Sequence, residues 1–409
     1  MDDKTDNNLL STCRKYLETL CLEIQDRSVG SAGNRLATLF FDKEISSFGW
    51  QTESQEFPAM DWQDGGATLR VDNKTFQALV SPYSLGCDAH APLACVRSVA
   101  ELERKDIKGK IVLLHGEIAK EQLMPKNFVF YNPEEHQKII SVLETKKPAA
   151  LICATGRNAA LAGGVYPFPL IEDGDFNIPS VYMTEEEGKK LLTESGKMVH
   201  LKSISERIPG HGYNVVARKG RDRTKRIILT AHIDAKKGTP GAIDNATGAT
   251  ILLLLAKVMA KYNGEPVIEI VAFNGEDYFA VPGQMLYIKH NQDRFSEVLL
   301  NINIDGAGYK EGKSSLSLFG VPDEMAHIIK TLPKKFPGLT EGIPWPQGDH
   351  SIFIQYGCPA IAVSSEWFIN NINDQDITHT PKDNLEIVSC EKLLEIVSAL
   401  KYLLEKITA

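Results

Sequence analysis

The feature that most constrains the fold of this chain is the alternation of strand-like and helical stretches that sets in after Lys202. Aliphatic runs at 227–231, 267–273, 298–304, 315–319 and 360–364 have strand length and little polarity, as expected of strands buried on both faces. Helical patterns separate them at 246–262, 282–290 and 322–335, and a last helix at 390–406 closes the chain. This alternation predicts an α/β fold, a doubly wound and mostly parallel sheet with helices on both faces. In such sheets the chemistry sits beyond the carboxyl ends of the strands, so the loops that follow strands are the place to look.

The preceding region reads differently. Leu9, Leu10, Cys13, Tyr16, Leu17, Leu20, Cys21 and Ile24 recur at helical spacing. A second helix is predicted over 34–48, with Leu36, Leu39, Phe40 and Ile45 on its buried face and Asn34 as its cap. From Phe57 to Lys202 short strand-like runs are broken by Gly, Pro and Asp, which predicts a separate β-rich domain. The expected organisation is a discontinuous α/β domain, 1–56 and 203–409, with 57–202 inserted into it. A length of 409 residues suits two such domains.

Composition narrows the function. A net charge of −8 offers no basic field for nucleic acid or an anionic membrane surface. No stretch approaches the roughly 18 apolar residues of a membrane span. The first eight residues are polar and acid-rich, without the apolar core of a secretory leader. The seven cysteines are dispersed with no CxxC pair, which reads as reduced thiols. The expectation is a cytoplasmic protein without nucleic-acid or membrane partners; oligomeric state is not legible.

The strand-end loops carry an unusual set of side chains. The first strand runs into His232-Ile233-Asp234, and Gly241-Ala242-Ile243-Asp244-Asn245 then opens a helix. The next strand ends at Gly275-Glu276-Asp277, the third at Asp305-Gly306, and Thr378-His379-Thr380-Pro381-Lys382-Asp383 precedes the last helix. Each residue has a plainer reading: Asp244 is a good helix N-cap, and Glu276-Asp277 an ordinary solvated pair. Together, two histidines and three carboxylates suffice for a paired-metal site in which one carboxylate bridges. Glu276, beside a ligand, is then placed as general base. Asp234 is placed to accept the second N–H of His232 and fix its tautomer.

The string HID, PGAIDNATG, FNGED, NIDG, THTPKDN resembles the two-zinc aminopeptidase family that includes aminopeptidase Y, glutamate carboxypeptidase and the glutaminyl cyclases. Arg27 to Asn34, RSVGSAGN, resembles the family's early R-x-x-G-S-x-G-N. The resemblance implies that His232 and Asp305 ligate one zinc, Asp277 and His379 the other, and Asp244 bridges both. It implies Glu276 as the base, Asp234 as orienter of His232, and a cis peptide after Asp244. Most relatives carry Glu-Glu where this chain has Glu276-Asp277, which leaves cobalt or manganese open as alternative metals. Gly109-Lys110-Ile111-Val112-Leu113 and Ile178-Pro179-Ser180-Val181 resemble the protease-associated domain often inserted in this family.

The implied activity is release of N-terminal residues from peptides by hydrolysis with metal-activated water. A carboxypeptidase or acyl-amino-acid hydrolase is the nearest alternative, and a non-catalytic binding protein a third. Recognition of a terminal carboxylate favours arginine; beyond Arg226 the α/β half holds only Arg294, while the inserted segment could lend Arg70, Arg97, Arg104 or Arg157. Asp349 and His350, in PQGDHS, resemble a segment that lines the substrate pocket in relatives, and read equally as a hydrogen-bonded pair. Trp367 is a candidate apolar wall for the first side chain, or core.

Overall fold

In the computed structural model the described residues are 3–157 and 165–408. Met1–Ala59 and His211–Ala409 form one compact unit, and Met60–Gly210 another. The chain passes between the units within two long strands, Gln51–Val71 and Met198–Lys219. Residues 56 and 202, where the texture of the sequence changes, lie inside these strands.

The first unit is built on a mixed, mostly parallel sheet. Its strands lie in the order Leu339–Glu341, Ser314–Phe319, Ala360–Ser365, Val298–Ile304, Asp222–His232, Pro266–Phe273 and the end of Met198–Lys219. Two pairings are antiparallel, Ser314–Phe319 with Ala360–Ser365 and Met198–Lys219 with Pro266–Phe273. Register sets Phe273 opposite His232 and Asn303 opposite Thr230, so the carboxyl ends of three neighbouring strands end level with one another.

Both faces of this sheet are covered. On one, Ile227, Leu229, Ala231, Ile268, Ile270, Ala272, Leu300 and Ile302 share a core with the helices Asp3–Glu18, Ala32–Ser47, Thr247–Val258 and Cys390–Ile407. Every residue of Thr247–Val258 up to Ala256 is buried, which is why its sequence is apolar all round. On the other face Phe273 meets Tyr287 of the helix Pro282–Asn291 edge-on at 5.1 Å. That face also carries a fully buried carboxylate. Glu269 accepts from the Tyr287 hydroxyl at 2.7 Å and from Arg218 Nε at 2.6 Å, with Arg226 Nη1 3.4 Å away.

The helix Ala32–Ser47 differs from its sequence reading. Ser31, not Asn34, is the cap, accepting from the Asn34 N–H at 2.9 Å. The buried stripe is Asn34, Ala37, Thr38, Phe41 and Ile45, whereas Leu36 and Leu39 are 56% and 46% exposed. Both registers have helical spacing. Small side chains at 37 and 38 permit close packing, and that decided which stripe turned inward.

The second unit holds a parallel sheet of Cys87–Val96, Ile111–His115, Ala150–Thr155 and Ser180–Thr184, with Leu79–Val80 antiparallel at its edge. Cys87–Val96 escaped the sequence reading because Pro92 and the exposed Asp88 and His90 disguise it. No helix among the described residues is long and apolar enough to cross a membrane.

Truncating Glu269 to Ala takes from Arg226, 1% exposed, its fully buried carboxylate and leaves it only the partly exposed Glu297 at 3.3 Å. The expected loss is about 3–5 kcal/mol of unfolding free energy. Urea denaturation of Glu269→Ala against the parent checks it.

Candidate metal centre

The strand Asp222–His232 delivers His232, 1% exposed, to the end of the sheet. Its ring Nε2 lies 3.0 Å from Asp244 Oδ1 and 3.6 Å from Asp305 Oδ1. The other oxygen of Asp244 faces the second histidine: His379 Nε2 lies 3.2 Å from Asp244 Oδ2 and 2.9 Å from Asp277 Oδ1. One carboxylate thus sits between two imidazoles, each of which has a further carboxylate of its own. All five of these residues were singled out in the sequence, and the fold brings them together.

Each is held by a stated local device. His379 lies at φ 62, a left-handed conformation rare for a residue with a side chain. Gln375 pins the turn before it, donating to Thr378 Oγ1 and accepting from the Thr378 N–H. The Asp244–Asn245 peptide is cis. The Asp383 carboxylate, fully buried, accepts the N–H groups of Ile243 at 2.6 Å and Asp244 at 3.1 Å. Arg27, also buried, donates to the carbonyls of Leu20, Ile233, Pro240 and Gly241. Asn34 joins Arg27 O to Asn274 Oδ1. Asp383 and Arg27 stand in the quoted motifs, but the sequence reading assigned them no part. Their work is done on backbone atoms, which no residue pattern displays.

Asp234 has a different geometry from the expected one. The backbone carbonyl of Asp234 lies 3.2 Å from His232 Nδ1, against 3.7 Å for its carboxylate. That carboxylate accepts from the N–H groups of Gly275 at 2.8 Å and Asp277 at 3.0 Å. Asp234 therefore meets His232 with its main chain and holds the Glu276 loop through its side chain.

The electrostatics of the cluster call for cations. Burial raises Glu276 well above the usual carboxylate range, and the negative charges of Asp305, Asp277 and Asp349 add to it against the pull of His232. Burial pushes Asp349 up to about 7, and burial with the charge of Asp244 does the same for Asp383. His232 moves the other way: burial opposes its charge, but Asp234, Asp244 and Asp305 hold it well above normal.

His232, Asp244 and Asp277 offer ligand atoms within 4.8 Å of one another. His232 Nε2 and Asp277 Oδ2 are buried without a hydrogen-bond partner. Unpartnered imidazole and carboxylate atoms converging on one point fit a divalent metal of the zinc type.

The remaining candidates fall nearby. A Cβ built on Gly348 would stand 3.2 Å from Asp305 Oδ2, so the loop carrying Asp349 abuts the cluster. Asp349 accepts from Gln284 Nε2 at 2.9 Å, and His350 Nε2 faces the Trp345 carbonyl at 2.9 Å. Trp367 packs against Tyr309 at 4.8 Å in a small apolar cluster with Phe368 and Ile243, the neighbour of Asp244.

Replacing Asp383 by Asn leaves one acceptor oxygen where two N–H groups need one each. We expect Asp383→Asn to weaken metal affinity about 10–100-fold, read by competition with a chromogenic chelator.

Comparison with known proteins gives this geometry a context. Peptidase family M28 matches residues 214–404. The chain is 24% identical over 241 residues to the aminopeptidase YwaD of Bacillus subtilis, covering 55% of this chain and 50% of that protein. It is 29% identical over 361 residues to leucine aminopeptidase 2 of Trichophyton rubrum, covering 82% of this chain and 68% of that one. The chain thus spans half to two-thirds of the length of these relatives. Among solved structures, an aminopeptidase from Aneurinibacillus sp. strain AM-1 has the same fold, with a TM-score of 0.76 at 21% identity over 97% of this chain and 93% of that chain. A zinc aminopeptidase from Bacillus subtilis superposes with a TM-score of 0.73 at 19% identity, over 97% and 95% of the two chains. Residues 214–404, which match Peptidase family M28, include every residue of this cluster.

Proposed function

We propose that this protein is a zinc-dependent aminopeptidase that releases single residues from the N-termini of peptides. The observation that carries this reading is the Asp244 carboxylate, with Oδ1 turned to His232 and Oδ2 to His379. In it, His232 and Asp305 hold one divalent ion, His379 and Asp277 a second, and Asp244 is shared. Zinc bound by these residues polarises a scissile carbonyl and acidifies a coordinated water. Cobalt or manganese would serve the same donor set, since the shorter Asp277 leaves the choice of metal broad.

Glu276 supplies the proton transfers. Its elevated proton affinity suits a group that takes a proton from the attacking water and passes it to the leaving amine. Asp234, gripping the N–H groups on either side of Glu276, keeps that carboxylate in place. The apolar group of Tyr309, Trp367 and Phe368 beside Ile243 is the wall for the substrate's first side chain. Asp349 and His350 follow Gly348, which abuts Asp305. We read residues 57–202 as a protease-associated domain from the motifs quoted above.

An aminopeptidase is favoured over a carboxypeptidase by where the arginines are. Arg27 is engaged by four backbone carbonyls, and Arg226 by Glu269, Asn291 and the Arg294 carbonyl. Arg27 has no fork free, and Arg226 stands six residues before His232 on its strand, too far to offer a terminal carboxylate at the cluster the fork that usually recognises one. The cluster is rich in carboxylates instead, which suits a substrate ammonium group.

Matched peptides with free and acetylated N-termini test the reading, each with and without a chelator. Chelator-sensitive cleavage of the free peptide alone is the expected result; cleavage of the acetylated peptide at its far end would make the enzyme a carboxypeptidase. Glu276→Gln is expected to lower kcat by roughly 10²–10⁴ while metal content, measured by atomic emission, stays unchanged. An active variant would defeat the role given to Glu276.

A further inference from the structure

We propose that the first unit carries a second binding site, an arginine-lined pocket for a small tetrahedral oxyanion of the phosphate type. The pocket has a volume of about 220 Å³ and is lined by Arg218, Arg223, Arg226, Arg294, His290 and Glu53, among others. It lies at the opposite end of the sheet from the metal centre. Arg226 pairs with Val267 and Val298 where the parallel strands begin, and His232 ends the same strand. Six residues of extended chain separate them by about 20 Å.

The charges of this pocket do not balance. Four guanidiniums, which stay protonated at any physiological pH, face one lining carboxylate, Glu53. Two further carboxylates reach the same arginines from elsewhere: Glu269 pairs with Arg218 and Arg226, and Glu297 with Arg226 and Arg294. Four positive groups against three negative ones leave an excess cation before His290 is counted.

The donors are also incompletely used. Arg226 Nε, buried, stands 3.3 Å from Glu297 Oε2 without hydrogen-bond geometry. Arg223 is exposed at the rim, where its Nη2 donates to Gln51. Arg294 is 42% exposed in its side chain. Planar forks at a concave wall, with more positive charge than their own carboxylates neutralise, are the chemistry that binds phosphate. The hydrolytic cluster at the far end has no use for such a site, so its role is to sense or hold an anion.

Titration calorimetry of the metal-loaded protein with inorganic phosphate tests this, at ionic strength matched with chloride. One phosphate per chain is expected, weakened roughly tenfold or more by Arg223→Ala and by Arg294→Ala. Arg223→Ala leaves the buried ion pairs intact, so its folding and peptide hydrolysis should be unchanged. Parallel titrations with sulfate and with a nucleoside monophosphate separate a site for the free ion from one for a phosphorylated small molecule. Absence of saturable phosphate binding would overturn the proposal. So would binding that both variants retain at full strength, since it would then belong to the metal centre.

Discussion

The structure of this site depends on one carboxylate having two partners. Asp244 presents one oxygen to His232 and the other to His379, whose residues lie far apart in the sequence. That arrangement is demanding, because a carboxylate at the start of a helix is ordinarily drawn to the free N–H groups there. Here those groups have main-chain acceptors: the Ala246 N–H bonds the Gly241 carbonyl and the Thr247 N–H the Ala242 carbonyl. Asp383 takes the N–H groups of Ile243 and Asp244, leaving the Asp244 side chain to face the histidines. A second carboxylate thus braces the main chain that carries the first.

The same division of labour recurs around the cluster. Asp234 uses its side chain on the backbone of the Glu276 loop, and Arg27 uses its guanidinium on four carbonyls from neighbouring segments. These residues replace the regular ladder bonds that loops beyond strand ends lack. The result is a set of buried carboxylates packed close together; burial first, and then the neighbouring negative charges, is why Glu276, Asp349 and Asp383 hold protons so readily. Divalent cations relieve that repulsion, so metal binding and the rigidity of these loops are two aspects of one requirement.

Much of this was legible in the residues. Strands buried on both faces read as uniform aliphatic runs, so the α/β sheet and the level of its strand ends could be placed, and His232, Asp244, Asp277, Asp305 and His379 with them. What escaped had a physical reason in each case. Leu36 and Leu39 shared helical spacing with the true buried stripe, and only the closeness of packing decided between the two. Cys87–Val96 was hidden by a proline and by polar residues on its exposed side. The bracing by Asp383 and Arg27 acts on main-chain atoms, whose positions follow from the fold and not from spacing.

The two ends of the sheet illustrate how parallel strands separate charge. Their carboxyl ends gather acids and imidazoles; their amino ends gather Arg226, Arg218 and Arg294 around Glu269 and Glu297. A buried carboxylate such as Glu269 is tolerated only where cations and the Tyr287 hydroxyl meet it, and the exposed arginines at the rim supply more charge than that purpose needs. At the acidic end the imbalance is negative and calls for metal; at the basic end it is positive and calls for an anion. With strand ends about 20 Å apart and solvent screening over roughly 10 Å, the two imbalances cannot cancel each other. Each end must therefore be neutralised locally, and that is the physical reason to regard both as binding sites.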